Sequence, residues 1–135
     1  MMSFSLAACS RPNVPLQPDA ATQLLTITSA DPAKYTTPKE SKHWSNPYLI
    51  IRHDEVRLLN AAAANEEQVL KAEGVLQALA QLPQSAWPYG RVVAILVEEK
   101  PGASEEEKIA LRRMRGIVAG DLAGAHVAIY WIPGS

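Results

Sequence analysis

A strand–helix–strand pattern in the second half of the chain limits the possible folds more than any other feature. Residues 91–97 form a continuous apolar, largely β-branched run, which predicts a strand inside a sheet with cover on both faces. Residues 105–120 place apolar side chains at helical spacing behind a Ser104-x-x-Glu107 capping box, and residues 126–132 return to a strand-like run. Two strands joined through a helix predict a parallel pair in one sheet.

Two shorter apolar runs precede this unit. Residues 47–52 and 55–59 are separated only by His53-Asp54, which predicts a β-hairpin. Residues 24–28 are short and β-branched, which predicts one more strand at an edge of the sheet. The sheet is therefore expected to be mixed, with antiparallel and parallel neighbours.

The segment between the hairpin and residue 91 has a helical pattern. Apolar side chains recur at helical spacing from Val69 to Leu79, so the sequence predicts one helix over 61–82 that ends at Pro83. The expected fold is an α/β (α+β) two-layer sandwich with the element order β-ββ-α-β-α-β. It contains a mixed sheet of about four to five strands and two helices.

The distribution of prolines divides the chain into three parts. Six of the ten prolines precede residue 50, and long apolar periodic segments are rare there. We expect a disordered tail or tether over 1–22, an irregular lead-in with one short strand over 23–46, and a compact domain over 47–133. A length of 135 residues fits one such domain.

Composition excludes several classes of function. A net charge of −1 gives no general attraction to nucleic acid, and a single cysteine excludes an intrachain disulfide and cysteine-based zinc sites. No glycine-rich phosphate motif is present, so no nucleotide is expected. The histidines show no metal-ligand spacing. We therefore predict no metal, no cofactor and no catalytic residue.

The lone cysteine follows Leu6-Ala7-Ala8 and is followed by a tract with a proline at every third position. This segment resembles the lipobox of bacterial lipoproteins. The resemblance implies that Cys9 is acylated, becomes the new N-terminus and provides the only attachment to a membrane. The proline tract favours an extended tether.

The residues before the cysteine are unusual for a secretory signal. Residues 1–8 contain no Lys or Arg, and Ser3 and Ser5 interrupt a short apolar run. If the resemblance holds, we expect the translated signal to begin upstream of Met1. The alternative is a free Cys9 thiol in a tail.

Residues 47–132 also resemble the periplasmic domains of the biopolymer transport proteins ExbD and TolR, on the order of their elements and the hairpin. That family has a transmembrane helix before the domain, which the given sequence does not contain. In that family a Tyr-Gly segment usually opens a helix, whereas Tyr89-Gly90 here leads into a strand. The resemblance therefore supplies an expected fold and no functional residues.

Two groups of residues are candidates for binding. In the first, Trp87, Tyr89 and Arg91 lie around a predicted tight turn and could form a recognition surface. The alternative is that both rings hold this loop on the sheet. In the second, His53 and Asp54 lie in the hairpin turn.

Charged residues follow the strand at 91–97 and occupy the helix after it. Glu98 and Glu99 come where ligands bind in open α/β sheets, but we interpret them as part of a solvated exit loop. Arg112, Arg113 and Arg115 are candidates for contact with a phosphate or a lipid head group. Residues 105–107 on the same helix are all glutamates, however, which predicts ion pairs along a solvated helix face instead.

The predicted function is a non-enzymatic bacterial envelope protein: a lipid-tethered α/β module that binds a protein or an envelope component. One alternative is a small cytosolic regulatory or subunit-type domain. The other is a small hydrolase or transferase that uses groups around His53, Asp54, Glu98 and Glu99. The sequence leaves the oligomeric state open.

Overall fold

The computed structural model of the chain describes residues 19–36, 44–60 and 67–133. Within these residues the strands are β1 (Tyr48–Ile51), β2 (Val56–Leu59), β3 (Glu67–Leu70), β4 (Val92–Val97) and β5 (Ala128–Trp131). The α-helices there are α1 (Ala20–Leu24), α2 (Val75–Ala80) and α3 (Glu105–Gly124). The five strands form one mixed sheet in the order β3-β2-β1-β4-β5. The predicted two-layer α+β fold is confirmed.

The hairpin and the strand–helix–strand unit form as the sequence predicts. β1 and β2 pair antiparallel, with Tyr48 opposite Leu59 and Ile51 opposite Val56. β4 lies inside the sheet and pairs parallel with both β1 and β5. α3 connects β4 to β5 and begins with the predicted capping box between Ser104 and Glu107.

Only part of the predicted helix over 61–82 forms. Residues 67–70 form β3, which pairs antiparallel with β2, and the α-helix covers only Val75–Ala80. Val69 is 59% exposed and is therefore not part of a buried helical stripe. Pairing with the β2 backbone overrides the local helical pattern, and Gly74 lowers helix propensity just before α2 begins.

The strand predicted at 24–28 is also wrong. The side chain of Asp19 accepts a hydrogen bond from the Thr22 N–H at 2.8 Å and caps α1, whose buried Leu24 anchors it to the core. At the end of this segment, the Thr28 carbonyl accepts a hydrogen bond from the Arg91 N–H at 2.8 Å, and the neighbouring Ser29 forms an isolated parallel bridge to Arg91. The folded part therefore begins before residue 22, while Cys9 and the rest of residues 1–18 lie outside the described residues.

The two faces of the sheet have different cover. On the inner face, apolar side chains pack with the helices in the main core, among them Leu49, Ile51, Leu58, Val93 and Ile95. On the outer face, a smaller cluster with Tyr35, Tyr89 and Val92 covers the amino end of β4. Apolar side chains thus cover both faces of the sheet, which leaves its ends and edges as the places where functional groups can lie.

Candidate functional site

The loop before β4 contains the predicted aromatic binding residues. The Gly90 N–H donates to the Trp87 carbonyl at 3.0 Å, which closes the predicted tight turn. The Trp87 and Tyr89 side chains are only 4% and 5% exposed. Both rings are thus buried against the protein and fit the alternative in which they hold the loop on the sheet.

Arg91 is partly buried beside this loop. Its Nη2 donates to the Ser29 Oγ at 3.1 Å. Its Nε and Nη1, together with the Trp87 Nε1, are buried without a hydrogen-bond partner among the described residues. The three predicted binding residues therefore lie together, but they form no exposed surface.

The other predicted residues meet at the carboxyl ends of β1 and β4. Here ionic side chains form a group that we call the carboxyl-end cluster, whose members are Arg52, His53, Glu98, Lys100 and Glu107. The Arg52 Nε lies 2.6 Å from the Glu98 Oε1, the Lys100 Nζ lies 2.7 Å from the Glu107 Oε2, and the His53 Nε2 lies 3.4 Å from that same oxygen. Asp54 is mostly exposed, with its Oδ2 3.9 Å from the His53 Nε2.

A cavity of about 300 Å³ opens beside the carboxyl-end cluster. The residues that line it are Arg52, His53, Glu98, Glu99, Lys100 and Pro101. The Lys100 ammonium and then the Ser104 backbone N–H stabilise the charged form of Glu107 and lower its pKa to about 2. Glu107 is therefore an anion throughout the neutral range.

The chemistry available in this cavity is limited. Its lining includes no serine, threonine or cysteine that could act as a nucleophile. No group of three metal-ligating side chains occurs among residues 19–36, 44–60 and 67–133. The charged groups mainly satisfy one another, which is typical of a solvated ionic network.

β5, the last strand of the sheet, has no charged side chain, unlike the cavity beside the carboxyl-end cluster. β5 consists of Ala128, Ile129, Tyr130 and Trp131, and Trp131 is 39% exposed. The Ala128 N–H donates to the Arg91 carbonyl just before β4, and the Ile132 N–H donates to the Ile95 carbonyl within it. Because backbone groups alternate along a strand, the N–H groups of Ile129 and Trp131 face the outer edge of the sheet, where no described strand pairs with β5.

A second cavity of about 300 Å³ lies between β4 and α3, close to the end of β5. We call it the basic groove, and its lining residues are Val97, Glu99, Lys108, Leu111, Arg112 and Arg115. None of the ion pairs between described residues involves Lys108, Arg112, Arg113 or Arg115. The predicted ion pairs along the helix are therefore wrong: Glu107 turns to Lys100 and His53 instead.

Comparison with protein-family models, with curated proteins and with solved structures gives no match for this chain. Within the described part of the chain, no helix has the length and apolar character needed to cross a membrane.

Sequence reasoning missed three residues that shape these regions. Asn46 is 1% exposed, and its Nδ2 donates to the Gly90 and Val92 carbonyls while its Oδ1 accepts from the Tyr89 N–H, each at 2.8 Å. Glu107 joins the carboxyl-end cluster, and Trp131 borders the basic groove. An asparagine next to a proline before a strand is a weak turn signal, and the contacts of the other two depend on the fold.

Proposed function

We propose that this chain is a non-enzymatic module of the bacterial cell envelope, tethered by a lipid on Cys9, whose β5 strand pairs with an extended segment of a partner protein. The observation that carries the proposal is the outer edge of β5, with which no other described strand pairs and whose four residues carry no charge. An extended peptide that adds to such an edge gains main-chain hydrogen bonds and side-chain contacts.

The opposite edge of the sheet, formed by β3, carries charged residues that protect it against pairing with another chain. β3 carries Glu67, which forms an ion pair with Arg57 on the neighbouring strand, and Lys71 follows immediately. Charges of this kind discourage pairing with another chain. β5 contains neither a charged residue nor a proline. The difference supports β5 as the edge that accepts a partner.

The tether is tested by labelling. Wild-type protein and Cys9→Ala are expressed from the native upstream region in cells that are fed labelled palmitate. Incorporation into the wild type alone supports the lipid anchor. Absence of label from both proteins contradicts the anchor and favours the alternative of a small cytosolic regulatory or subunit-type domain.

Pairing along β5 is tested by a photo-crosslinking amino acid at position 131, with position 69 on the opposite edge as the matched control. We expect an adduct with a different protein from position 131 only. Ile129→Pro should abolish it, because proline removes an N–H that faces the outer edge, while Ile129→Ala should keep it. Equal adducts at both edges, no adduct, or an adduct of two copies of this chain would contradict the proposal.

A second candidate function rests on His53. Its Nε2 lies 3.4 Å from a Glu107 carboxylate oxygen and it lines a cavity, which is a possible arrangement for a general base. A small hydrolase or transferase would lose turnover of activated esters in His53→Gln and keep it in Asp54→Asn. Turnover equal to that of the buffer in the wild type would exclude the ester-hydrolase form of this function.

A further inference from the structure

The basic groove combines three cations with an apolar base. Lys108, Arg112 and Arg115 lie at positions i, i+4 and i+7 of α3, so they share one side of the helix. Leu111 and Val97 supply the apolar part of the lining, and the one carboxylate in the lining is that of Glu99. Three cations against one anion leave a positive groove in a protein whose net charge is −1.

Arg115 connects this groove to β5. Its guanidinium carbon lies 4.8 Å from the centre of the Trp131 ring. Trp131 is opposite Ile95, whose side chain belongs to the main core, so the indole lies on the helix side of the sheet. Stacking on an indole face holds a guanidinium in place and leaves its N–H donors free for a planar acceptor.

We propose that the basic groove binds acidic side chains of the partner segment that pairs with β5, so the partner carries an extended, acidic sequence. The inference rests on the proposed function, since it gives the chemistry of the segment at that edge. The acceptors are carboxylates, which Arg112 and Arg115 bind through paired N–H donors.

Spacing favours alternate acidic residues. Every second residue of a strand points to the same face, about 6.5 Å along the chain. Helix positions three apart, such as Arg112 and Arg115, have Cβ atoms about 5–6 Å apart. Two carboxylates at alternate positions of the partner segment therefore fit two arginines of the groove.

Other features argue against an anionic membrane as the ligand. Glu105 and Glu106 lie exposed at the start of α3, and Glu99 lies in the groove itself. A flat anionic surface would meet these carboxylates together with the arginines and would be repelled by them. A single extended segment in the groove meets three cations against the one carboxylate of Glu99.

The experiment uses two labelled probe peptides of equal length, one alternating Glu with Val and the other alternating Gln with Val. Their binding to the folded protein is followed by NMR chemical shifts of the α3 and β5 amides. We expect the acidic peptide to bind about tenfold more tightly than the neutral one, with the difference reduced at high salt. Arg112→Gln and Arg115→Gln should each remove most of that difference. Arg113→Gln, which makes the same change of charge outside the groove lining, should leave it unchanged.

The outcomes separate this inference from the proposed function. If both peptides bind equally and Ile129→Pro abolishes both, strand pairing stands and the acidic preference is overturned. If Ile129→Pro spares the acidic peptide while Arg112→Gln abolishes it, the groove binds carboxylates and strand pairing fails. If Arg113→Gln weakens binding as much as Arg112→Gln, or if phosphatidylglycerol vesicles bind in the same groove and displace the acidic peptide, the inference is overturned.

Discussion

The two ends of β4 are built from different chemistry. At the amino end, neutral side chains make the contacts that hold the chain, beside the partly buried Arg91 guanidinium. Asn46 bonds to three backbone groups of residues 89–92, and the Trp44 and Tyr89 rings meet edge to face at 5.0 Å. At the carboxyl end, Arg52, Lys100 and Glu107 form ion pairs beside a cavity.

The difference shows where this fold has room for function. Breaking a buried hydrogen bond is costly because its donor and acceptor lie away from water and are left without a partner. Exposed ion pairs exchange readily with solvent and contribute little to stability. The amino end therefore holds the sheet together, whereas the carboxyl end and the neighbouring groove can change partners without unfolding the protein.

The sharpest test of this contrast replaces Gly90. Its φ is +87°, and a Cβ at this position would lie 2.3 Å from the Ser29 carbonyl oxygen. Gly90→Ala must therefore move backbone that contacts the start of β4. We expect a loss of about 3–5 kcal/mol in the free energy of unfolding, measured by urea denaturation.

Gly102 is the matched control at the other end of β4. Its φ is +72°, but a Cβ there would meet nothing within 4 Å. Gly102→Ala should cost only the local conformational preference, about 1–2 kcal/mol. Equal losses of unfolding free energy in the two variants would show that the Ser29 carbonyl adds no cost to a Cβ at position 90.

Asn46→Ala tests the buried hydrogen bonds directly. The change leaves the Tyr89 N–H and the carbonyls of Gly90 and Val92 without their side-chain partner. We expect the free energy of unfolding to fall by about 2–3 kcal/mol. Glu98→Ala, which removes an ion pair at the opposite end, should change it far less. A larger effect of Glu98→Ala would reverse the assignment of the two ends.

The parts of the fold that could be predicted depend on local signals. The hairpin 47–59 and the unit from β4 to β5 have patterns that agree with their final environment: apolar runs, a capping box and short connections. Ser104 and Glu107 satisfy each other within one turn of helix, so no distant contact is needed to fix the start of α3.

The wrong predictions involve segments whose structure is decided by distant contacts. Residues 67–70 have a helical pattern, but the free backbone of β2 offers a ladder of hydrogen bonds that they join as β3. Residues 24–28 look like a strand, yet Asp19 caps a helix just before them and Leu24 packs in the core. Local propensity is a weak guide where tertiary pairing competes with it.

In the candidate sites, too, local sequence patterns predict some features, whereas others depend on distant contacts. The pattern of aromatics at 87–91 identifies an important loop, but only the packing reveals that Trp87 and Tyr89 are buried. The groove arginines look paired in the sequence because glutamates precede them on the same helix. Glu107 instead reaches back to Lys100 across the turn before α3. Which partner a charge selects is set by the fold.

The smallest expected effect concerns Glu107 at the carboxyl end. Its pKa is lowered to about 2, first by the Lys100 ammonium and then by the Ser104 backbone N–H. Lys100→Met should raise this pKa towards the ordinary value of 4.5, as measured by NMR titration of the Glu107 side chain. His53→Gln should raise it less, since His53 contributes the weakest of these effects and only by its charge.

The sign of the pH dependence follows from the lowered pKa. The stabilisation from Glu107 is present above the ordinary carboxyl pKa of 4.5 and is lost as the pH falls towards 2, because protonation then removes the charge that Lys100 contacts. Lys100→Met should lower the stability at neutral pH and flatten the stability curve within this range. The slope of the curve should be unchanged above roughly pH 6, where the carboxyl is ionised in both the folded and the unfolded protein. A curve equally steep in both proteins would show that the ion pairs at this end do not respond to charge, and the contrast with the amino end would then rest on burial alone.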